Sequence, residues 1–445
     1  MHLARHTITP TLQTVIVNAR FDQDGNVFTA ITPRGYAVYL ANPLRLITHR
    51  DIPNGTLAHV VPLHSTNLLF LVGGGNNPLY PPNKVILHNA AQGVDVAELE
   101  FREVVRGLAC RRGMLAVALR RRVCVFEIGG EIAVVSRLGE WETCENERGL
   151  LAFASAQRAT LLAFPGKQDG HVQLLHLPPC PGPAKEPGKP ARRHSLSKPP
   201  RRTLPTPRNP VSIIAAHSGR LTSISTPPSG SLLATSSEKG TLVRVWDTLT
   251  GTCVRELRRG ADKAEIYGTA FRKDERELAV WSDKGTIHVF SLGLDGPGTS
   301  INQRSALAPL SAVLPLPKYF QSEWSYASFR LPQPATHTDL GTFVLPDEPE
   351  IRCVCAWVEV GGVEERGRAR QGSGSGSGKA EGEGEAEVEH KLVALTWAGG
   401  WYRLSLPDRP GQRESEKGKE REGEAVNRQL GLEEFRRYGR WDGWG

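Results

Sequence analysis

The sequence has no long hydrophobic run. None of its apolar stretches approaches the roughly 18 residues that a membrane-spanning helix needs. The N-terminal residues also lack the continuous apolar segment of a secretory signal peptide. We therefore expect a cytoplasmic protein whose contact with any membrane is peripheral.

Signatures of the common enzyme classes are missing as well. The three glycines at 73–75 are not followed by the Gly-Lys-Ser or Gly-Lys-Thr of a phosphate-binding loop, so a tight turn explains them better. No Gly-x-Ser-x-Gly, His-Glu-x-x-His or protein-kinase signature occurs. The sequence predicts a protein that is not an enzyme and that needs no cofactor.

Cysteine is scarce and lacks metal-site spacing. The seven cysteines are odd in number and lie mostly in apolar stretches. Cys353 and Cys355 share one strand face by their spacing, but no second pair stands at the distance that a zinc site requires. We expect buried, reduced thiols and no metal site.

Helical periodicity is almost absent. Apolar residues recur with helical spacing only over 430–438, a stretch with aromatic residues for which the sequence indicates no docking position. Elsewhere, short β-branched and apolar runs are separated by turn residues, which is the pattern of many short strands. The sequence therefore predicts an all-β protein.

A repeated phrase indicates which β-fold to expect. Ser237-Glu-Lys-Gly-Thr is answered 45 residues later by Ser282-Asp-Lys-Gly-Thr, and each copy continues into an apolar strand. This period is typical of the blades of WD-type propellers. The strand-like runs over 10–406 predict a seven-bladed β-propeller of WD-repeat type. We expect blade five to begin near Ile213 and blade six near Ile266.

Three segments depart from the propeller pattern. Residues 178–210 hold eleven prolines, eight Lys or Arg and one acid, which predicts a disordered basic linker between blades four and five. This linker carries most of the net charge of +8, so the charge does not indicate a nucleic-acid surface. Residues 364–389, rich in Gly, Ser and Glu, predict a disordered insertion in blade seven. Residues 407–445 predict a charged C-terminal tail.

Two adjacent arginines, Arg258 and Arg259, close an apolar strand between the two copies of the phrase. Neighbouring strand residues point to opposite faces, so these side chains would serve two separate pockets. A guanidinium group is a rigid fork that suits a phosphate. Hydroxyl and basic residues accompany each copy, which favours polyphosphate recognition over two surface arginines at a blade corner.

The Leu-Arg-Arg-Gly stretch at 257–260 resembles the signature of the PROPPINs, seven-bladed propellers that bind polyphosphoinositides in autophagy. The variant with leucine is similar to the shorter subgroup of that family. The resemblance covers most of 10–405 apart from two insertions. Further matching motifs follow in the family's order at 71–75, 81–85, 162–166, 216–217, 237–248 and 316–320.

The resemblance implies two headgroup pockets on the rims of blades five and six, for phosphatidylinositol 3-phosphate and phosphatidylinositol 3,5-bisphosphate. It places the protein on phagophore, endosomal and vacuolar or lysosomal membranes. A role in a structural turn network is the alternative for each histidine. The first pocket would use His217, Ser237, Thr241, Arg244 and Arg258, and the second would use Arg259, Ser282, Thr286 and His288.

A long loop follows the strand that ends at Phe290. Its C-terminal half is apolar, and we predict that it dips into the bilayer, as the blade-six loop of the resembling family does. Folding back onto the propeller is the alternative. The residues predicted to insert are Leu307, Leu310, Val313 and Leu314.

The resemblance also implies a protein partner, the lipid-transfer protein of autophagy. We expect its contact on blades two and three, between Asn76 and Lys84, and we expect a monomer. Two rival functions are a WD-repeat scaffold without lipid binding and a nucleic-acid binder that uses the basic linker. The first is tested by removing Arg258 and Arg259, and the second by measuring the nucleic-acid affinity of 178–210.

Overall fold

The structure is a computed structural model that describes residues 16–64, 66–129, 134–182, 212–293, 302, 322–332, 352–360, 388–407 and 428–439. These residues form seven β-sheets, in each of which four strands follow one another antiparallel from the inside outwards. The innermost strands of successive sheets contact each other in a ring. Within these ranges no helix is long and apolar enough to cross a membrane. The predicted all-β, seven-bladed propeller is confirmed.

The first three blades contain four strands each. Blade one consists of β1 Asn18–Phe21, β2 Val27–Thr32, β3 Gly35–Leu40 and β4 Arg45–Asp51. Blade two consists of β5 Leu57–Pro62, β6 Leu68–Gly73, β7 Lys84–Asn89 and β8 Val94–Glu100. Blade three consists of β9 Gly107–Arg111, β10 Met114–Ala118, β11 Arg122–Gly129 and β12 Val134–Glu142.

Short fifth strands extend two of the remaining blades. Blade four consists of β13 Ala152–Phe153, β14 Leu161–Pro165, β15 His171–His176 and β16 Ile213–Ala215. Blade five consists of β17 Leu221–Ser225, β18 Leu232–Ser237, β19 Leu242–Asp247, β20 Cys253–Arg258 and β24 Glu323–Trp324. Blade six consists of β21 Ile266–Phe271, β22 Glu277–Ser282, β23 Thr286–Ser291, β25 Ala327–Arg330 and β29 Arg428–Gln429. Blade seven consists of β26 Cys353–Val360, β27 Glu389–Thr396, β28 Gly400–Ser405 and β30 Gly431–Arg437.

The hydrophobic core is divided among the spaces between neighbouring blades. Each blade is covered on both faces, so its second strand is largely buried, and in blades three and four (β10 and β14) it is apolar throughout. The ring closes where blade seven packs on blade one. There the Trp401 indole Nε1 donates to the carbonyl of Ala41 at 3.0 Å, and the Tyr438 ring meets the Phe28 ring edge to face.

The boundary between blades four and five differs from our prediction. Ile213–Ala215 is not the start of blade five but pairs with β15 as the outer strand of blade four. The basic segment 178–210 therefore connects two strands within blade four rather than two blades. The error arose because β16 is only three residues long and the whole basic segment separates it from its partner strand.

The C-terminal region also differs from our prediction. Residues 431–437 form β30, which pairs antiparallel with β28 as the fourth strand of blade seven. The helix suggested over 430–438 is therefore wrong. The propeller extends beyond residue 406, and the predicted tail 407–445 contains two of its strands, β29 and β30.

Long-range contacts explain why local periodicity misled us at β30. The Glu433 carboxylate accepts hydrogen bonds from Lys391 Nζ at 2.5 Å and from Arg403 Nε at 3.2 Å. Tyr438 is buried and donates its hydroxyl to the carbonyl of Thr396 at 2.8 Å. These partners lie in other strands of blade seven, so the segment's own sequence does not indicate them.

Candidate functional site

Both copies of the repeated phrase form tight turns between the second and third strands of their blades. The Gly240 N–H donates to the carbonyl of Ser237 at 2.8 Å, and the Gly285 N–H donates to that of Ser282 at 3.1 Å. The two glycines have φ values of 61° and 65°. A Cβ at Gly240 would also lie 1.6 Å from the carbonyl oxygen of Ala264. Turn geometry thus explains the repeated glycine, and it fixes both serines at the blade rim.

The two adjacent arginines lie on opposite faces of blade five. Leu257 is fully buried in the core between blades five and six. Because side chains alternate along a strand, Arg258 faces blade four and Arg259 faces blade six. Both arginines are largely buried, with 8% and 9% of their surface exposed. The sequence predicted this division into two sides.

We name the first side the blade four–five cleft and define it by His217, Ser237, Arg244 and Arg258. Here Arg244 is already engaged within the protein. Its Nη1 donates to the carbonyl of Ala216 at 2.7 Å, and its Nε donates to the Glu256 carboxylate at 3.0 Å. An incoming anion would have to share this cation with a resident carboxylate.

His217 belongs to a hydrogen-bond network in the same cleft. Its Nε2 lies 3.0 Å from the Thr235 hydroxyl, which also accepts a hydrogen bond from Trp246 Nε1 at 3.0 Å. Burial, reinforced by the nearby Arg244, lowers the pKa of His217 to about 4. The imidazole is therefore neutral at pH 7. The alternative role of His217, in a structural turn network, is thus supported by the hydrogen bond of its Nε2.

Arg258 is held by a segment that the sequence did not connect to it. Its Nε donates to the Ser322 hydroxyl at 3.2 Å. Ser322 precedes β24, which runs parallel to β20 and places Trp324 opposite Arg258. The chain reaches this position only after completing three strands of blade six, so no local pattern indicates the contact.

We name the other side the blade five–six cleft and define it by Arg259, Ser282, Thr286 and His288. Strand alternation brings these residues together. Leu278 and Phe290, on β22 and β23, pack into the core shared with blade five. Residues of the same parity on those strands therefore face Arg259.

Arg259 is the least satisfied cation of the two clefts. Its Nη2 donates to the carbonyl of Asp262 at 3.1 Å, whereas its buried Nε has no hydrogen-bond partner. Burial lowers the pKa of Arg259, and the carboxylates of Asp283 and Asp262 oppose that shift. This guanidinium group therefore keeps a buried donor that a ligand can use.

The neighbours of Arg259 are polar and partly committed. His288 Nδ1 lies 3.0 Å from the Ser325 hydroxyl. Burial, with the nearby Arg259 as a further cause, lowers the pKa of His288 to about 4. Ser282 is fully buried, and its hydroxyl accepts the Lys284 N–H at 3.4 Å. The cleft thus combines a charged donor with a neutral imidazole.

Thr241 is the predicted residue that strand alternation does not bring to its expected cleft. It precedes β19, and its carbonyl accepts the Arg259 N–H at 3.0 Å. Sequence reasoning missed Thr235, Ser322 and Ser325. Thr235 lies on the same strand face as Ser237, so side-chain alternation could have predicted it. Ser322 and Ser325 reach the clefts only through long-range strand pairing.

The predicted insertion residues Leu307, Leu310, Val313 and Leu314 lie outside the described residues. The chain between β23 and β25 joins the third and fourth strands of blade six. Asn302, within this connection, is buried and bonds the backbone of Ser291 through Oδ1 at 2.7 Å and Nδ2 at 2.6 Å. The connection is therefore anchored to the end of β23.

Comparison with solved structures defines the class of protein. Kluyveromyces lactis Hsv2 with its complete loop 6CD has a TM-score of 0.59 and 19% identity, covering 95% of this chain and 99% of that one. A complex of KlAtg21 with the coiled coil of AgAtg16 has a TM-score of 0.58 and 15% identity, with the same coverage. These similarities establish that the fold is that of the Hsv2-type β-propellers.

Sequence comparison then identifies the family. The PROPPIN family model matches residues 207–300, which include every residue of both clefts. SVP1-like protein 2 from Pichia angusta is 32% identical over 317 residues, which is 71% of this chain and 81% of that protein. Autophagy-related protein 18e from Arabidopsis thaliana is 30% identical over 320 residues, 71% and 76% of the two chains. The chain belongs to the PROPPIN family, the autophagy-related propellers that bind phosphoinositides.

Proposed function

We propose that this protein attaches to membranes by binding phosphatidylinositol 3-phosphate and phosphatidylinositol 3,5-bisphosphate in the two clefts beside blade five. It acts there as an effector of autophagy. The observation that carries the proposal is the buried guanidinium group of Arg259, which faces His288 and has an unpartnered Nε. Membership of the PROPPIN family supports the class of ligand.

Arg259 supports a phosphate ligand on energetic grounds. A cation removed from water loses solvation energy, which a neutral carbonyl compensates only in part. The only hydrogen bond described from its guanidinium group goes to the backbone of Asp262. A phosphate oxygen would accept from Nε and bring a negative charge into direct contact with the guanidinium group. A charge-assisted hydrogen bond of this kind contributes about 1.5–3 kcal/mol.

The two clefts together favour a membrane over a soluble ligand. They flank one rigid blade, so two headgroups in the same bilayer can be held at once. The second binding event then benefits from a high effective concentration, which one soluble inositol phosphate does not provide. The residues proposed to orient the headgroups beside the arginines are His217, Ser237, Arg244, Ser282, Thr286 and His288.

The loop of blade six supplies the second part of the proposed attachment. It follows β23, the strand that carries Thr286 and His288, and Leu307, Leu310, Val313 and Leu314 would enter the bilayer once the headgroups are bound. Complete burial of one such side chain yields about 1.5–3 kcal/mol. Two or three partly inserted residues therefore match one headgroup contact.

Recruitment of the autophagy lipid-transfer protein is the proposed output. Its contact would include the connection between Asn76 and Lys84 on blade two. A cavity of about 500 Å³ adjoins that blade, between β8 and β11, and it combines apolar and charged side chains. Such a mixed groove suits a protein segment. Its lining includes Phe101, Arg102, Arg122, Phe126, Arg137 and Glu140.

Flotation with liposomes that carry single phosphoinositides tests the proposal. The wild-type chain should float with the 3-phosphate and 3,5-bisphosphate lipids and stay in solution with phosphatidylinositol alone. Replacing Arg258 and Arg259 together by Thr should abolish flotation. Arg276→Thr is the matched control, because Arg276 is an exposed arginine of blade six outside both clefts.

Two measurements complete the experiment. Thermal unfolding establishes that the double variant is folded, since Arg258 also bonds Ser322. Titration with soluble inositol phosphates separates headgroup capture from membrane attachment. A folded double variant that floats like the wild type would reject the lipid-binding proposal and leave the WD-repeat scaffold as the function.

A further inference from the structure

Three side chains of the types that bind metal ions lie close together in turns of blades one and two. The lipid clefts lie elsewhere, beside blade five. Asp22 and Asp24 lie in the turn between β1 and β2, and His64 lies in the turn after β5. One donor atom of each residue lies within 4.8 Å of the others. With metal–ligand bonds of about 2.0–2.2 Å, two ligands on one ion are at most about 4.4 Å apart, so small adjustments would let all three bind together.

Two buried atoms in this cluster have no hydrogen-bond partner among the described residues. They are Asp22 Oδ2 and His64 Nε2. Their residues are only 7% and 5% exposed. Asp22 Oδ1, by contrast, accepts the Val27 N–H at 3.1 Å. Unsatisfied buried polar atoms are costly, so the unpartnered oxygen of Asp22 in this cluster indicates a missing ligand.

His64 and Asp24 already hold two donor atoms close together. The His64 Nδ1 lies 2.9 Å from Asp24 Oδ2. A metal ion that bound both atoms would replace the proton between them, since a ligating imidazole nitrogen must be unprotonated. The backbone of His64 has φ 49°, which is unusual for a residue other than glycine.

The charges around the cluster leave room for a cation. Arg112 Nη2 lies 4.0 Å from Asp24 Oδ2 and offsets one of the two carboxylates, but it is partly exposed. Asp22 is buried, and a divalent ion would restore favourable solvation to its carboxylate.

We propose that Asp22, Asp24 and His64 form a binding site for one divalent transition-metal ion, with zinc as the favoured occupant. One imidazole nitrogen with two carboxylates suits zinc better than magnesium or calcium, which prefer oxygen ligands alone. Asp22 and Asp24 also line a cavity of about 190 Å³. Water from this cavity can complete the coordination. Because the ligands come from two blades, the ion would fasten blade one to blade two.

Metal analysis of the full chain without an affinity tag tests the site. After treatment with a chelator, the protein should take up one zinc per chain, and its melting temperature should rise until one equivalent has been added. Cobalt should give a visible absorption spectrum typical of bound imidazole and carboxylate. Asp22→Asn and His64→Gln should each lower zinc affinity at least tenfold and remove the cobalt spectrum.

His176→Gln is the matched control, because His176 is an exposed histidine of blade four. This variant should bind zinc and cobalt like the wild type. If the folded wild-type chain takes up no stoichiometric zinc, the proposal is wrong, whatever the variants do. It is equally wrong if His64→Gln retains the wild-type affinity, and Asp22 is then a buried carboxyl group without a metal.

Discussion

The two clefts beside blade five are built from equivalent parts of two repeats, yet they differ in how far their cations are engaged. In the blade four–five cleft, Arg244 is paired with Glu256, and Arg258 is bonded to Ser322. In the blade five–six cleft, Arg259 has no carboxylate within salt-bridge distance among the described residues, and its Nε has no hydrogen-bond partner. The repeated sequence thus places similar side chains in both clefts, but it does not make their arginines equally available to a ligand.

The largest expected effect comes from removing the available cation. Arg259→Thr should weaken binding to liposomes containing phosphatidylinositol 3-phosphate by about tenfold or more, because a charge-assisted contact of about 1.5–3 kcal/mol is lost. Arg258→Thr should have the smaller effect, since its guanidinium group is already bonded. Flotation at a series of lipid concentrations measures both. Equal losses would show that engagement within the protein does not distinguish the clefts.

The next effect concerns the loop that follows β23. Leu310→Asp combined with Leu314→Asp should reduce liposome binding several-fold, because two carboxylates oppose burial in the bilayer. Binding of soluble inositol phosphate, measured by calorimetry, should not change. An environment-sensitive dye on the loop should shift to the blue only with 3-phosphate liposomes. If the dye remains in water and the variant floats normally, the arginine clefts alone attach the protein.

The two clefts are alike in that each contains a histidine whose pKa is lowered by burial. His217 and His288 both have a pKa of about 4 in the folded protein, below the ordinary value near 6.5. The unfolded chain therefore takes up protons first as the pH falls, and stability is lost between about pH 6.5 and pH 4. His288→Gln should reduce this loss by on the order of 1 kcal/mol between pH 7 and pH 5. Urea unfolding at both pH values measures it, and an unchanged pH dependence would contradict the burial of a neutral imidazole.

A smaller effect is expected from freeing Arg244, which should raise the ligand affinity of the blade four–five cleft. Glu256→Gln releases Arg244 from its partly buried ion pair, and such pairs contribute up to about 1 kcal/mol. The affinity of the blade four–five cleft should then rise by up to about fivefold, which is best measured in an Arg259→Thr background. Glu147→Gln, at an exposed acid in the connection between blades three and four, serves as the control. A loss of affinity would mean that Glu256 positions Arg244 for the ligand.

The smallest effect is expected from the basic segment inside blade four. Deleting 183–207 removes seven Lys or Arg while leaving the packed residues up to 182 in place. Flotation with phosphatidylserine liposomes should decrease modestly, since each basic residue near such a membrane contributes at most about 1 kcal/mol. Selectivity among phosphoinositides should stay the same. An unfolded deletion variant would show that the segment is part of the blade.

Side-chain alternation and the 45-residue repeat were sufficient to predict seven blades and the opposite orientation of Arg258 and Arg259. They were insufficient wherever a partner comes from a distant strand. Ser322 and Ser325 reach the clefts only through the pairing of β24 and β25. The same limit explains β16 and β30, whose neighbours lie across long intervening segments. The cluster of Asp22, Asp24 and His64 also combines residues of two blades, so no local sequence motif predicts it.

The position of β30 has a consequence for biosynthesis. This strand completes blade seven, but it follows all other strands in chain order. During translation blade seven lacks its outer strand until residues 428–439 have left the ribosome, and β28 is meanwhile an unprotected edge that other chains can pair with. Premature termination between 406 and 428 would therefore yield a propeller with an incomplete seventh blade that chaperones and proteases can recognise, although it contains every residue of both lipid clefts.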